Sequence, residues 1–462
     1  MSVAAKTLEP DRRSMVRRAL STAWPAMAES FFVTLAGMID TMMVSTLGPS
    51  AVSAVGLTQQ PKFIGLTLFF GLNVAVSALV ARRKGEQRQE NACTVFLTSL
   101  ALTLVFCAVI TVAFVALAPQ MMTLAGSNAD THDDAVVYFR IIMGGTFFNV
   151  LTMIINSAQR GSGNTRLSMY TNLTSSIVNV LFNYLLIGGN LGFPRMGIRG
   201  AAIATVLGTV VSAAMAVLSL TRPTSYVRIQ DMIRKKLRPT RSDAGSIWKL
   251  TYNTSLENIA MRVGFLATAL IAARLGTDEF AVHNVEMQLL GLGFAFADGM
   301  QVAAIALTGE SLGAGRKQEA KAYGQICQRI GLAISIALSL LLFVGGRWFT
   351  GLFFNAEMTP AKKEVLIGMG VEINYFVMVI VLLQISQIIF SACLRAAGDV
   401  RYTLIGALIS VSFIRTAVTA LLVYVFGMRL EGIWFGILSD QLSRFILMSL
   451  RFRQGKWVDL KI

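Results

Sequence analysis

Charge is what this sequence has least of. Of 462 residues only 14% are Asp, Glu, Lys or Arg, against about 25% in soluble domains. A soluble chain of this length would need a far more polar surface, so a soluble globular fold is excluded. Acids are scarcer than bases, 25 against 41. The basic excess does not point to nucleic acid, because the charges form short clusters between long apolar runs, the pattern of membrane topology. Cysteine is rare too. Cys93, Cys107, Cys327 and Cys393 lie in or beside apolar segments with no C-x-x-C pair, which leaves them as small buried hydrophobes and not a disulfide or zinc framework. His132 and His283 are too few and too far apart to suggest a metal site. RGSGNTR (160–166) superficially resembles a phosphate loop, but it lacks the lysine and lies between two apolar segments. No nucleophile–base pair stands out, so neither an enzyme nor a cofactor is expected.

Long apolar runs are what is there: 54% of the residues are hydrophobic and the mean hydropathy is +0.62. About 20 apolar residues cross ~30 Å of hydrocarbon. Segments that qualify lie near 22–46, 61–81, 93–118, 136–158, 168–188 and 198–219, then near 247–273, 283–309, 326–354, 368–394, 403–426 and 431–451. Arg12, Arg13, Arg17 and Arg18 precede the first run, which is too long for a signal peptide and has no small-residue cleavage site after it. It reads as an uncleaved first spanning helix. The expected fold is an all-α integral membrane protein of twelve transmembrane helices. Its divisions are an N-terminal segment (1–21), an N-lobe of helices 1–6 (22–219), a linker (220–246), a C-lobe of helices 7–12 (247–451) and a tail (452–462).

Basic clusters recur at every second connection, as at Arg82, Arg83, Lys84 and Arg88, whereas residues 119–135 hold Asp130, Asp133 and Asp134 and no Lys or Arg. The positive-inside rule then puts both termini in the cytoplasm of a multi-pass plasma-membrane protein, the inner membrane if the source is bacterial. The halves also repeat. An offset of 228 pairs Glu29 with Glu257, Gly48 with Gly276, Gly71 with Gly299 and Gly85 with Gly313, and an offset of 235 pairs RGSGNTR with RAAGDVR (395–401). Six spans per half make the repeat parallel, about an axis along the membrane normal. Two pseudo-symmetric six-helix lobes around a central cleft suit alternating access.

Ionisable groups within spans usually face a cavity, a partner or an ion path. Asp40 sits mid-span in helix 1. Asn179 and Asn183 share one face of helix 5, and Thr205 lies in helix 6 among small residues. Together they form an oxygen-rich set suited to a hard monovalent cation. The same carboxylate, once desolvated, can hold a proton, so Na⁺ and H⁺ are not separated. Alternatively Asn179 and Thr205 are only inter-helix hydrogen-bonding groups. In helix 7, Glu257 is followed five residues later by Arg262, which could neutralise it as a structural ion pair. Asp298 is a further intramembrane acid, and Glu29 is expected nearer the water boundary. Arg415, Asp440 and Arg444 read as structural pairs.

Several segments together resemble the multidrug and toxic compound extrusion (MATE) transporters: MIDTMMVSTLG with AVSAVGL, RGSGNTR, GIRGAAIATVLG, GESLGAGR and LRAAGDVRYT. The likeness runs from about residue 20 to 450. It implies a cation-driven antiporter exporting organic, mostly cationic, compounds or drugs from the cytoplasm, and a monomer. Asp40, Asn179 and Thr205 match the family's N-lobe cation and proton site. Asn183 stands where many members have Asp, which is similar to the NorM-type branch. Glu257 resembles the helix 7 acid of the NorM-type C-lobe site, while Gln384 replaces its usual helix 10 partner. Pro25 matches a position where a kink responds to the charge state of Asp40. The rivals are a lipid-linked precursor flippase of the same superfamily and a non-transporting membrane scaffold. The internal repeat and Asp40 argue against the scaffold.

Overall fold

The structure is a computed structural model describing residues 12–354 and 359–460. Twelve spanning helices follow one another. They are α1 (Arg12–Ser45), α2 (Pro49–Gly85), α3 (Gln89–Ala116), α4 (Ala129–Gly144 and Thr146–Gly161, bent by 44°), α5 (Thr165–Gly188) and α6 (Ile198–Ser219). After the linker come α7 (Arg241–Leu275), α8 (Thr277–Gly313), α9 (Lys317–Leu352), α10 (Pro360–Ala396), α11 (Val400–Val425) and α12 (Leu430–Gln454). By length and apolarity nine of the described helices can each cross a bilayer, and α4 adds a tenth when its halves count as one span. α5 and α12 fall short because they carry Asn172, Asn179 and Asn183, and Asp440 and Arg444, whose partners lie inside the protein.

The helices outrun the bilayer. α2 has 37 residues, about 55 Å at 1.5 Å per residue, against ~30 Å of hydrocarbon. The expected spans therefore mark the apolar middles of longer helices. α1 runs unbroken through Pro25, which is buried. α11 is underwound, with π-helical turns at Leu408–Arg415 and Leu421–Val425. The linker folds back onto the start of α3: its short helix Ile229–Arg234 brings Lys235 2.5 Å from Glu90, and Gln89 donates to the Tyr226 carbonyl.

The repeat seen in sequence is a pseudo-twofold in space. A β-carbon on Gly85 of α2 would overlap the Glu310 carbonyl of α8, and one on Gly313 would overlap the Arg82 carbonyl. Arg82 and Glu310 are themselves related by the offset of 228, so this contact is isologous across the axis. The same holds deeper in the molecule, where Gly71 packs on Ser255 of α7 and Gly299 on Met27 of α1. Glycine is required here because two helix backbones touch. Three inter-lobe contacts close the same end: Arg18 to Glu310 at 2.5 Å, Lys84 to Glu310 at 3.0 Å, and the Arg82 guanidinium to the Leu460 carbonyl at 3.1 Å. Met15, Ala19 and Ala23 of α1 join the apolar core of the C-lobe. The lobes are thus sealed at the face that carries the chain's N-terminal helix end. Behind the seal they enclose a cavity of about 810 Å³.

Candidate functional site

Asp40 lies in the half of α1 away from the sealed face and is half-buried. The side-chain amide of Asn183, fully buried in α5, donates to its carboxylate at 2.6 Å. One turn earlier on the same face, Asn179 donates to the Thr205 hydroxyl at 3.1 Å, and Thr205 donates to the Ala201 carbonyl of its own helix at 3.0 Å. Buried Tyr138 of α4 closes the site beside Thr205. The four residues expected to act together are therefore in one place, joining α1, α5 and α6. The carbonyl oxygen of Asn183 is buried with no hydrogen-bond donor among the described residues. An orphaned acceptor beside a carboxylate is costly unless a proton or cation comes to it. Turning the amide over exchanges its nitrogen for that oxygen. The site can therefore support a bare carboxylate in one setting and offer oxygens to a cation in the other.

Glu29 is buried, not at the water boundary as expected. It accepts from Arg160 at 3.0 Å and from Asn172 at 2.6 Å, and Arg160 also donates to Ser168 and to the Asn73 side chain. In the other lobe Glu257 accepts from Arg395 at 2.5 Å and from Thr403 at 3.1 Å, and Arg395 also donates to Gln301 at 2.8 Å. The two networks are copies: Glu29, Asn73, Arg160 and Ser168 map onto Glu257, Gln301, Arg395 and Thr403 by the offsets of 228 and 235. The expected pairing of Glu257 with Arg262 does not form. Arg395 reaches the carboxylate from α10, and Arg262 rises away from it to lie over the Phe63 ring at 4.3 Å. Asp298 faces the central cavity, where Asn73, Gln301 and both network arginines also line the wall. Asp440 is fully buried between Arg415 at 2.5 Å and Arg444 at 3.1 Å, inside the C-lobe.

Against this geometry, the sequence profile of the MatE family matches residues 25–185 and 254–421, one segment per lobe. The chain belongs to the MatE family. A protein named probable multidrug resistance protein NorM, from Thermotoga maritima, is 26% identical over 448 residues, covering 96% of this chain and 93% of its own. The uncharacterized transporter YisQ of Bacillus subtilis is 26% identical over 449 residues, covering 95% and 94%. Among solved structures, a MATE in complex with MaL6 superposes with a TM-score of 0.88 at 24% identity, covering 96% of this chain and 97% of that one. An outward-facing multidrug resistance MATE family transporter of the MOP superfamily gives 0.87, with the same identity and coverage. These likenesses show the twelve-helix MATE fold.

Within this MatE protein, two charged residues of the spans escaped the sequence reading. Lys62 lies in the first half of α2, close enough for its ammonium to act on Asp40. It was hidden because the expected span started at residue 61. Glu286 of α8 is fully buried, accepts from Thr350 at 2.9 Å and leaves its second oxygen without a partner among the described residues. It stands three residues inside the expected span 283–309, and the sequence reading did not single it out. Gln384 is fully buried against Gly293, with neither end of its amide hydrogen-bonded among the described residues. Among the described residues no cluster of three or more His, Cys, Asp or Glu forms a metal centre.

Proposed function

We propose that this chain is a NorM-type multidrug efflux transporter that exchanges organic, mostly cationic, compounds for Na⁺ or H⁺ by rocking its two lobes. The carrying observation is the Asp40 carboxylate, held by Asn183 at 2.6 Å beside a buried amide oxygen with no donor among the described residues. The names of the relatives support the substrate side, since three of the NorM proteins it resembles are called multidrug resistance proteins or probable ones. The basic helix ends at the sealed face, Arg82, Arg83 and Lys84 among them, support placing that face and both termini in the cytoplasm of the plasma membrane.

In this reading the cavity faces outward and the coupling ion enters from that side. Binding at Asp40 neutralises the carboxylate, frees the Asn183 nitrogen and changes how α1 lies against α5 and α6. Substrate leaves outward. The lobes then rock, which requires breaking the Arg18 and Lys84 contacts to Glu310, and the ion leaves inward. One charge moving down 100 mV supplies about 2.3 kcal/mol, enough to bias a two-state equilibrium by roughly fifty-fold. The chain works as a monomer, since the cavity is complete within one copy.

The test is dye efflux from proteoliposomes with the Na⁺ and pH gradients imposed separately. Export driven by one gradient and absent without either supports the reading. Export indifferent to both, or none with any cationic dye, overturns it.

A further inference from the structure

Asp40, Asn179, Asn183 and Thr205 have counterparts in the C-lobe. The offset of 228 carries Asp40 to Thr268 of α7, and the offset of 235 carries Thr205 to Asp440 of α12. Gly197 and Ile198 anchor the second offset in these helices, since they fall on Gly432 and Ile433. On α11 the same offset carries Asn179 and Asn183 to Ile414 and Val418, but Leu408–Arg415 forms a π-helical turn. An i→i+5 turn takes up one more residue than an α turn, so the register beyond it advances by one position. The places of Asn179 and Asn183 thus pass to Arg415 and Thr419, again four apart.

The contacts agree. In the N-lobe Asn179 donates to Thr205 at 3.1 Å, and in the C-lobe Arg415 donates to Asp440 at 2.5 Å. A β-carbon on Gly436, one turn before Asp440, would overlap the Thr419 hydroxyl, which puts Thr419 on the same strip of α12. Thr268 and Arg444 line the central cavity, so this set borders it. The charges correspond as well. In the N-lobe one acid, Asp40, has one base acting on it, Lys62. In the C-lobe one acid, Asp440, has one base, Arg444, at 3.1 Å, and Arg415 adds a further positive charge. Arg415 is fully buried, with its guanidinium over the Phe265 ring at 4.6 Å. Its Nε and Nη1 have no hydrogen-bond partner among the described residues. An apolar side chain of similar volume would pack there at less cost, so packing alone does not account for the arginine.

We infer that Arg415 is a tethered cation: it permanently fills the C-lobe's copy of the Asp40 site, so the chain binds and exchanges a mobile cation in the N-lobe alone. The inference rests on the exporter reading and deepens it, because it sets how many ions each chain takes. With Arg415 in place, α7, α11 and α12 stay in a cation-loaded arrangement. Only α1, α5 and α6 alternate between loaded and empty.

The test counts cations bound by the purified full chain, as radioactive Na⁺ held at equilibrium and as protons taken up on an acid pulse in Na⁺-free buffer. The wild type is expected to bind one, and Asp40→Asn none. Arg415→Gln opens the C-lobe site and should bind two. One of the two should survive Asp40→Asn and vanish when Asp440→Asn is added instead. Arg415→Lys, which keeps a tethered charge, should bind one. A folded Arg415→Gln that binds one cation, or a wild type that binds two, overturns the inference and leaves the exporter reading standing. No bound cation in the wild type, with dye export indifferent to both gradients, removes the exporter reading and the inference with it. Where Arg415→Gln fails to fold, the reciprocal change decides. Asn179→Arg puts a guanidinium at the place that Arg415 holds in the other lobe. Its thermal unfolding should no longer respond to the coupling ion and should match that of the cation-saturated wild type. Unfolding at or below the temperature of the cation-free wild type means that a tethered cation does not fit this architecture, and overturns the inference.

Discussion

Asp40 was legible in the sequence because an isolated acid in eighteen otherwise uncharged residues violates the expectations of a membrane span. Its partner Asn183 was legible through the four-residue spacing to Asn179. Lys62 was not, because hydropathy locates the apolar middle of a helix and α2 begins twelve residues before the expected span. Two predictions belong to these side chains. Asp40→Asn removes the charge that a cation answers but keeps the hydrogen-bonding shape, so ion-coupled efflux should fall to background while folded protein still reaches the membrane. Gradient-driven dye efflux, with size-exclusion elution as the folding control, checks both halves. Lys62→Gln should act in the opposite sense. Removing a positive charge near Asp40 makes cation binding there more favourable, so the ion concentration giving half-maximal efflux should drop several-fold. A titration of efflux rate against Na⁺ and against pH measures it, and an unchanged midpoint would mean that Lys62 does not act on the site.

Between elements, the doubled network around Glu29 and Glu257 ties each lobe together. In the N-lobe it joins α1, α2, α5 and the end of α4, and in the C-lobe α7, α8, α10 and α11. The partnership of Glu257 with Arg395 spans 138 residues, so local spacing favoured Arg262, five positions away. The repeat held the better clue. RGSGNTR and RAAGDVR align under the same symmetry that aligns the two glutamates, and an ion pair in one lobe implies its copy in the other. Glu257 is 3% and Arg395 10% exposed, so removing one partner strands a charge. Arg395→Met should cost about 3–5 kcal/mol, whereas the double change with Glu257→Leu should recover most of that loss. Thermal unfolding of the two variants in detergent compares them. Equal loss in both would mean that the network's value lies in its contacts with Gln301 and Thr403 and not in the ion pair.

For the whole molecule, the pseudo-twofold fixes which parts can move. Gly85 on Glu310 and Gly313 on Arg82 make a backbone-to-backbone seal on the axis, and Glu310 alone receives both Arg18 and Lys84 across it. No sequence signal marked Glu310 as a latch, because its partners lie 292 and 226 residues away and outside the repeat. Opening the sealed face must separate all three charges. Arg18 and Lys84 are 41% and 25% exposed, so water screens the pairs and each contributes only ~0.2–1 kcal/mol. Glu310→Gln should therefore not unfold the protein but shift its balance toward the opened state, by a few-fold at each pair. Val74, half-buried on the cavity wall, can report that shift as Val74→Cys. The four native cysteines are buried and contribute little background. An impermeant maleimide applied from the sealed side should label Val74→Cys several times faster when Glu310→Gln is added. The same reagent from the opposite side should label it more slowly, because time spent open to one face is time lost to the other. Faster labelling from both sides at once would mean a general loosening of the lobes, and a latch would then be the wrong description of Glu310.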